Sequence, residues 1–155
     1  MSAIPPVMLK SDRNPNGTPL SAFDQIRMGL MTDRAQYYKD LSNVFYGANR
    51  SGSHVSQGVR DQFWQQSMQC GFKAAYDCVR VFSETDLTDD LKRINTKSLI
   101  VHGDDDQIVP IAASAQRSVE LLRGAVLSVY RGAPHGLPTT HREQLNADLL
   151  GFLKG

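Results

Sequence analysis

The sequence predicts an α/β fold: a short open parallel sheet with flanking helices, joined to a block made of helices alone. Three observations carry that prediction. From Thr88 onward the pattern alternates helix, strand, helix, strand, helix, the order that a parallel sheet with crossover helices requires. The apolar run Leu99-Ile100-Val101 stops at Gly103 and three successive aspartates, Asp104 to Asp106, as a buried parallel strand does where it opens into a functional loop. Between Thr18 and Ser83, four helical patterns follow one another with no strand among them, which reads as an insertion.

The 155 residues amount to one ordinary domain. Seventeen basic and 16 acidic residues give a net charge of +1, with no basic block or basic-aromatic stripe. Nucleic acid and anionic membrane are therefore not expected partners. Met1 to Lys10 has no basic leader or apolar run of signal length, and no later stretch approaches a membrane span, so a cytoplasmic location is expected.

Residues 1–10 are expected to form an edge strand, because Pro5 and Pro6 remove two backbone donors from an apolar stretch. The helical region then occupies residues 11–87. Thr18 before Pro19 predicts a hydroxyl-capped start, and Leu20, Phe23, Ile26, Leu30 and Met31 give the first helix its apolar face. Asp33 is expected to cap a second helix carrying Tyr37, Tyr38, Leu41, Val44 and Phe45. After the polar loop 47–58, a third helix carries Val59, Phe63, Trp64 and Met68. Gly71 breaks it, and a fourth carries Phe72, Ala75, Tyr76, Val79 and Phe82. Cys70 and Cys78, eight positions apart in a helical pattern, would lie about 12 Å apart along the axis, too far for a disulfide. Reduced, at least half-buried thiols are expected.

The final segment, 88–155, opens with Thr88 as the expected cap of a short helix containing Leu91 and Ile94. Past the first strand, Ala112, Ala115, Val119 and Leu122 define a helix ended by Gly124. Ala125 to Tyr130 is the second strand, and Thr140-His141-Arg142-Glu143 has the pattern of a capping box before the last helix.

Loops that leave the carboxyl ends of parallel strands build active sites, and residues 103–110 and 132–138 are two such loops. A carboxylate on one can orient a histidine on the other, here His135, and stabilise the imidazolium formed when that histidine takes a proton. Asp104 and Asp105 read as solvated loop charges or as carboxylates at the N-terminus of the following helix. The three aspartates lack the alternate spacing and distal glutamate of a calcium loop. His102 reads as a hydrogen-bonded structural residue, and His54 and His141 as surface residues. Ile108 and Ile111 are placed to line an acyl or alkyl pocket but fit the core as easily, and Trp64, Tyr37 and Tyr38 share that ambiguity. His54-Val55-Ser56-Gln57-Gly58 is the nearest thing to a nucleophile elbow, but it lacks the leading glycine and the preceding strand.

Taken together, Leu99 to Pro110 and Ala133-Pro134-His135-Gly136-Leu137 resemble the end of an α/β-hydrolase, more narrowly the cofactor-free, non-heme chloroperoxidase and aryl-esterase group. The similarity extends to Tyr46-Gly47-Ala48-Asn49-Arg50, to Ala74 to Cys78 and to Phe82 to Leu87, and so covers nearly the whole chain. It implies a partial α/β-hydrolase fold with the helical region as a cap, Asp106 as the triad carboxylate and His135 as the base. It further implies carboxylic-ester hydrolysis with peracid formation as a side activity, a small ester or carboxylic acid as substrate, and no metal or cofactor. The family's oxyanion loop and Gly-x-Ser-x-Gly elbow have no counterpart in this sequence. The expectation is therefore a portion of a serine hydrolase that is inactive alone and needs a complementing N-terminal half. The alternative is a non-catalytic remnant or interaction module that self-associates through an exposed sheet edge.

Overall fold

Two β-branched-rich runs, bounded by turn residues, form the sheet. In the computed structural model, which describes residues 1–155, β1 (Ser98–Gly103) pairs in parallel with β2 (Ala125–Tyr130). The register runs from Ser98 opposite Ala125 to Gly103 opposite Tyr130. The crossover consists of a 3₁₀ turn (Ile111–Ala113) and a helix (Ala115–Leu121), which is α5 in chain order. Gly124 then adopts φ +72°, a left-handed position that suits glycine. Because the two strands end in step, the loops that follow them start side by side.

The other helices are α1 (Leu20–Phe45), α2 (Gln57–Gln69), α3 (Phe72–Glu84), α4 (Thr88–Arg93), α6 (Leu137–Thr140) and α7 (Arg142–Lys154). The two helices expected around Asp33 are present as halves of α1. Asp33 breaks the helical backbone (φ −154°, ψ 88°), and its Oδ1 accepts the Gln36 amide at 2.9 Å as the cap of the second half. Met8, Phe23, Leu30, Tyr38, Val79 and Val109 form one buried cluster, and Val101, Tyr130, Ala133, Leu137 and Leu145 form another. Val109 belongs to the loop after β1 yet is only 2% exposed within the helical core. Burying such a side chain stabilises by about 1.5–3 kcal/mol, so it anchors that loop to the helices.

Several local expectations are corrected. Residues 1–10 form no strand. With Pro5 and Pro6 lacking donors, the segment is held instead by isolated bonds, Ser2 N–H to Val101 O and Leu9 N–H to Ser83 O, both 2.9 Å. Buried Asn14 adds side-chain bonds to the carbonyls of Val7 and Ala113. Pro19, with no side-chain cap, precedes α1 in place of Thr18. Thr88 is the first residue of α4, and its amide is accepted by Asp86 Oδ1 at 2.9 Å.

The capping box at Thr140 does not form. Thr140 ends α6, and its hydroxyl lies 2.8 Å from His141 Nδ1. His141 is half-buried, its ring 6.1 Å from that of Tyr130. Cys70 and Cys78 are free and exposed; the helix break at Gly71 separates them, so one helical repeat does not relate them.

Candidate active site

Three consecutive aspartates end β1, and the structure sends them in three directions. Asp104 Oδ1 accepts the Gly132 amide at 2.6 Å, tying the two strand-end loops together. Asp105 receives Arg50 in a two-pronged pair, Nε at 2.7 Å and Nη2 at 2.6 Å. Asp104 is exposed, as expected of a solvated loop charge, and Asp105 is half-buried against Arg50. Asp106 turns inward, its side chain 0% exposed. Its Oδ1 accepts the amides of Ile108 (2.9 Å) and Val109 (2.8 Å), the local turn that aspartate favours. Its Oδ2 lies 2.9 Å from His135 Nδ1.

Burial pushes the Asp106 carboxyl up, but it is outweighed. Hydrogen bonds from His102, His135 and the Val109 amide hold the group well below the usual carboxylate range. An ionised carboxylate can only accept, so His135 Nδ1 carries the proton and donates it. In the neutral ring Nε2 is then a lone-pair nitrogen, the arrangement of a general base. The His135 side chain is 19% exposed, and its ring stands edge-on to Phe45 at 4.8 Å.

His102 is hydrogen-bonded and structural, as read from the sequence, with an added role. It is fully buried, with Nε2 2.8 Å from Val109 O and 3.3 Å from Asp106 Oδ2. A carbonyl only accepts, so Nε2–H donates. Asp106 thus lies between two imidazoles, an arrangement the sequence did not reveal because His102 and His135 are 33 positions apart.

His135 borders an apolar groove of about 980 Å³ that runs between the helices and the loop after β1. Ile108, Tyr37 and Tyr38 line it; Ile111 does not, because the chain turns at Pro110 into the 3₁₀ segment that Ile111 opens. Burial, with Tyr38 adding, pushes the Tyr37 phenol up to about 12, so it stays neutral. Trp64 lies outside the groove, its Nε1–H donating to Ala35 O at 3.0 Å. Ser56 is the N-cap of α2, its Oγ accepting the Val59 amide. No group of three or more His, Cys, Asp or Glu side chains is arranged to hold a metal ion, and no helix is long and apolar enough to cross a membrane.

No family model matches the chain. Individual proteins do. It is 54% identical over 155 residues to a non-heme chloroperoxidase of Streptomyces lividans, covering 99% of this chain and 56% of that protein. It is 45% identical, with the same coverage, to the bifunctional esterase/perhydrolase DCH of Acinetobacter calcoaceticus. A bromoperoxidase from Bacillus anthracis superposes with a TM-score of 0.95 at 32% identity, over 99% of this chain and 56% of that one. The chain belongs to the non-heme chloroperoxidase group of α/β-hydrolases.

It matches the C-terminal half of that α/β-hydrolase fold and spans about half the length of the relatives it matches (56%). In α/β-hydrolases the triad carboxylate precedes the histidine in the chain, the order of Asp106 and His135 here. The family resemblance pointed to this pair, and the two side chains lie 2.9 Å apart. It assigned no role to Asn49 and Arg50, although Tyr46 to Arg50 stood out as family-like.

Proposed function

We propose that this chain carries the orienting carboxylate and the base of a serine-type carboxylic-ester hydrolase, with residues 11–87 as the cap over the site. The observation that supports it most is the 2.9 Å bond from His135 Nδ1–H to a buried, doubly amide-capped Asp106, beside an apolar groove. In the reaction, His135 Nε2 takes the proton of a serine hydroxyl as its oxygen bonds to the ester carbonyl carbon. It returns that proton to the alcohol as the carbon–oxygen bond to the leaving group breaks. Water then releases the acid by the same route, and hydrogen peroxide in place of water gives a peracid. The printed name of the Acinetobacter relative, esterase/perhydrolase, supports that side activity. This acyl chemistry calls for no metal or organic cofactor.

On this reading the chain is inactive alone and turns over only with a complementing segment that supplies the nucleophile and oxyanion donors. The isolated chain with p-nitrophenyl acetate should give no burst, and mixing it with an N-terminal half from a relative should restore turnover. A burst from the isolated chain, blocked by a serine-directed inhibitor, would refute inactivity. Of the groove's two serines, Ser67 donates to Phe63 O whereas buried Ser2 Oγ has no partner. Loss of such a burst in Ser2→Ala would locate the nucleophile there.

A second reading, an association module, is supported by the outer edge of β1, which carries only the Ser2–Val101 bond beyond its pairing with β2. Light scattering tests it: a monodisperse monomer at all concentrations counts against it.

A further inference from the structure

The end of α1 and the turn that follows, Phe45 to Arg50, touch all four residues that immediately flank Asp106 and His135. On the acid side, Arg50 grips Asp105 through Nε and Nη2 at 2.7 and 2.6 Å. Asn49 and Gln107 exchange amide hydrogens at 2.9 and 3.1 Å. On the base side, Gly47 at φ +66° lies so close to Pro134 that an added Cβ would be 3.1 Å from the Pro134 Cβ. The Gly136 amide donates to Phe45 O at 2.8 Å. Residues 105, 107, 134 and 136 are thus all held by one six-residue stretch.

This spacing is more than a list of surface contacts. An exposed ion pair or amide pair is weak by itself, but a two-pronged guanidinium–carboxylate contact fixes the plane of its partner as well as its position. Here that plane belongs to the residue next to the orienting carboxylate. The left-handed glycine lets the turn reach the base loop in the same pass.

We propose that Asn49 and Arg50 are positioning residues: the turn is a bracket that holds the acid loop and the base loop at one fixed separation. It acts on the Asp106–His135 bond through Asp105 and Gln107, and it rests on the proposed reading of that pair as a working dyad. Because the bracket reaches the acid loop from the helical block, a displacement of α1 would be felt first at the His135 Nδ1–H bond.

Solution NMR on the full chain tests this through the low-field proton of His135 Nδ1–H and its exchange with water. In the double variant Asn49→Ala/Arg50→Ala, both exposed in the parent, exchange should speed by on the order of tenfold while Tm moves by no more than about 4 °C. Arg50→Lys, which keeps the charge but not the fork, should fall between parent and double variant. Unchanged exchange in the double variant would overturn the bracket. So would equal acceleration in Arg27→Ala, which removes an arginine paired elsewhere, with Asp24 and Glu84. Persistence of the proton in Asp106→Asn would instead overturn the dyad itself, and the bracket with it.

Discussion

The loop after β1 and the loop after β2 start from paired positions, Gly103 opposite Tyr130, yet they are held in opposite ways. Around Asp106 the acid loop largely organises itself. Asp106 Oδ1 takes the amides two and three residues ahead, and His102 donates to the carbonyl seven residues ahead. Around His135 the base loop has only a backbone turn, the Leu137 amide to Pro134 O at 3.2 Å, with no side chain framing it from within. Gly132 is held by Asp104, Gly136 by Phe45, and Ala133, fully buried, sits where the absence of a side chain at Gly103 admits it. The Asp106 carboxylate is fixed by local hydrogen bonding, and His135 is placed largely by distant packing.

That contrast can be broken most severely at Gly103. A Cβ there would stand 2.0 Å from Ala133 O, a backbone atom with no room to retreat. Gly103→Ala should destabilise by about 3 kcal/mol, read as a lower urea midpoint, and should displace both loops at once.

Asp106→Asn should cost about 2 kcal/mol at neutral pH, since it removes a charged acceptor from a buried network. Its pH dependence sharpens the point. The folded carboxyl titrates below the ordinary range, so its contribution is complete above the unfolded value of about 3.9. It is lost as pH falls toward the folded value. Urea midpoints of parent and variant should therefore converge on acidification below about pH 5.

Gly136→Ala should cost less, about 1–2 kcal/mol. The added Cβ would meet the Tyr46 ring at 2.4 Å, but that half-buried side chain can shift. Pairing it with Tyr46→Ala should recover part of the loss, a non-additivity read from the double-mutant cycle. The smallest effect is expected at Asp104→Ala, a Tm change of no more than about 2 °C, because its bond to the Gly132 amide is solvent-exposed. Equal losses at Gly103 and Asp104 would mean that the base loop is not placed by packing.

The two strands, the four helical stretches and the cap at Asp33 were all legible in the sequence, because each is written in residues a few positions apart. Errors fell at boundaries where a neighbour captured the hydrogen bond. Leu87 is the cap position of α4, the Thr88 amide goes to Asp86, and His141 takes the Thr140 hydroxyl. The edge strand over residues 1–10 failed where two donors were already absent. Ile111 was placed in a pocket on proximity to the aspartates alone, and the turn at Pro110 removes it.

The sequence by itself determined the α/β order and the two strand-end loops that hold the aspartates and His135, because strand periodicity and loop chemistry are local. The choice of Asp106 among the three came from the family resemblance. Only the tertiary structure decided which oxygen of Asp106 meets His135, that His102 closes on the same carboxylate, and that Asn49 and Arg50 reach Gln107 and Asp105. Those contacts depend on the angle between a helix end and two strand ends. That angle is set by how Val109, Phe23 and Tyr38 pack in a common core, and no short window of sequence contains it.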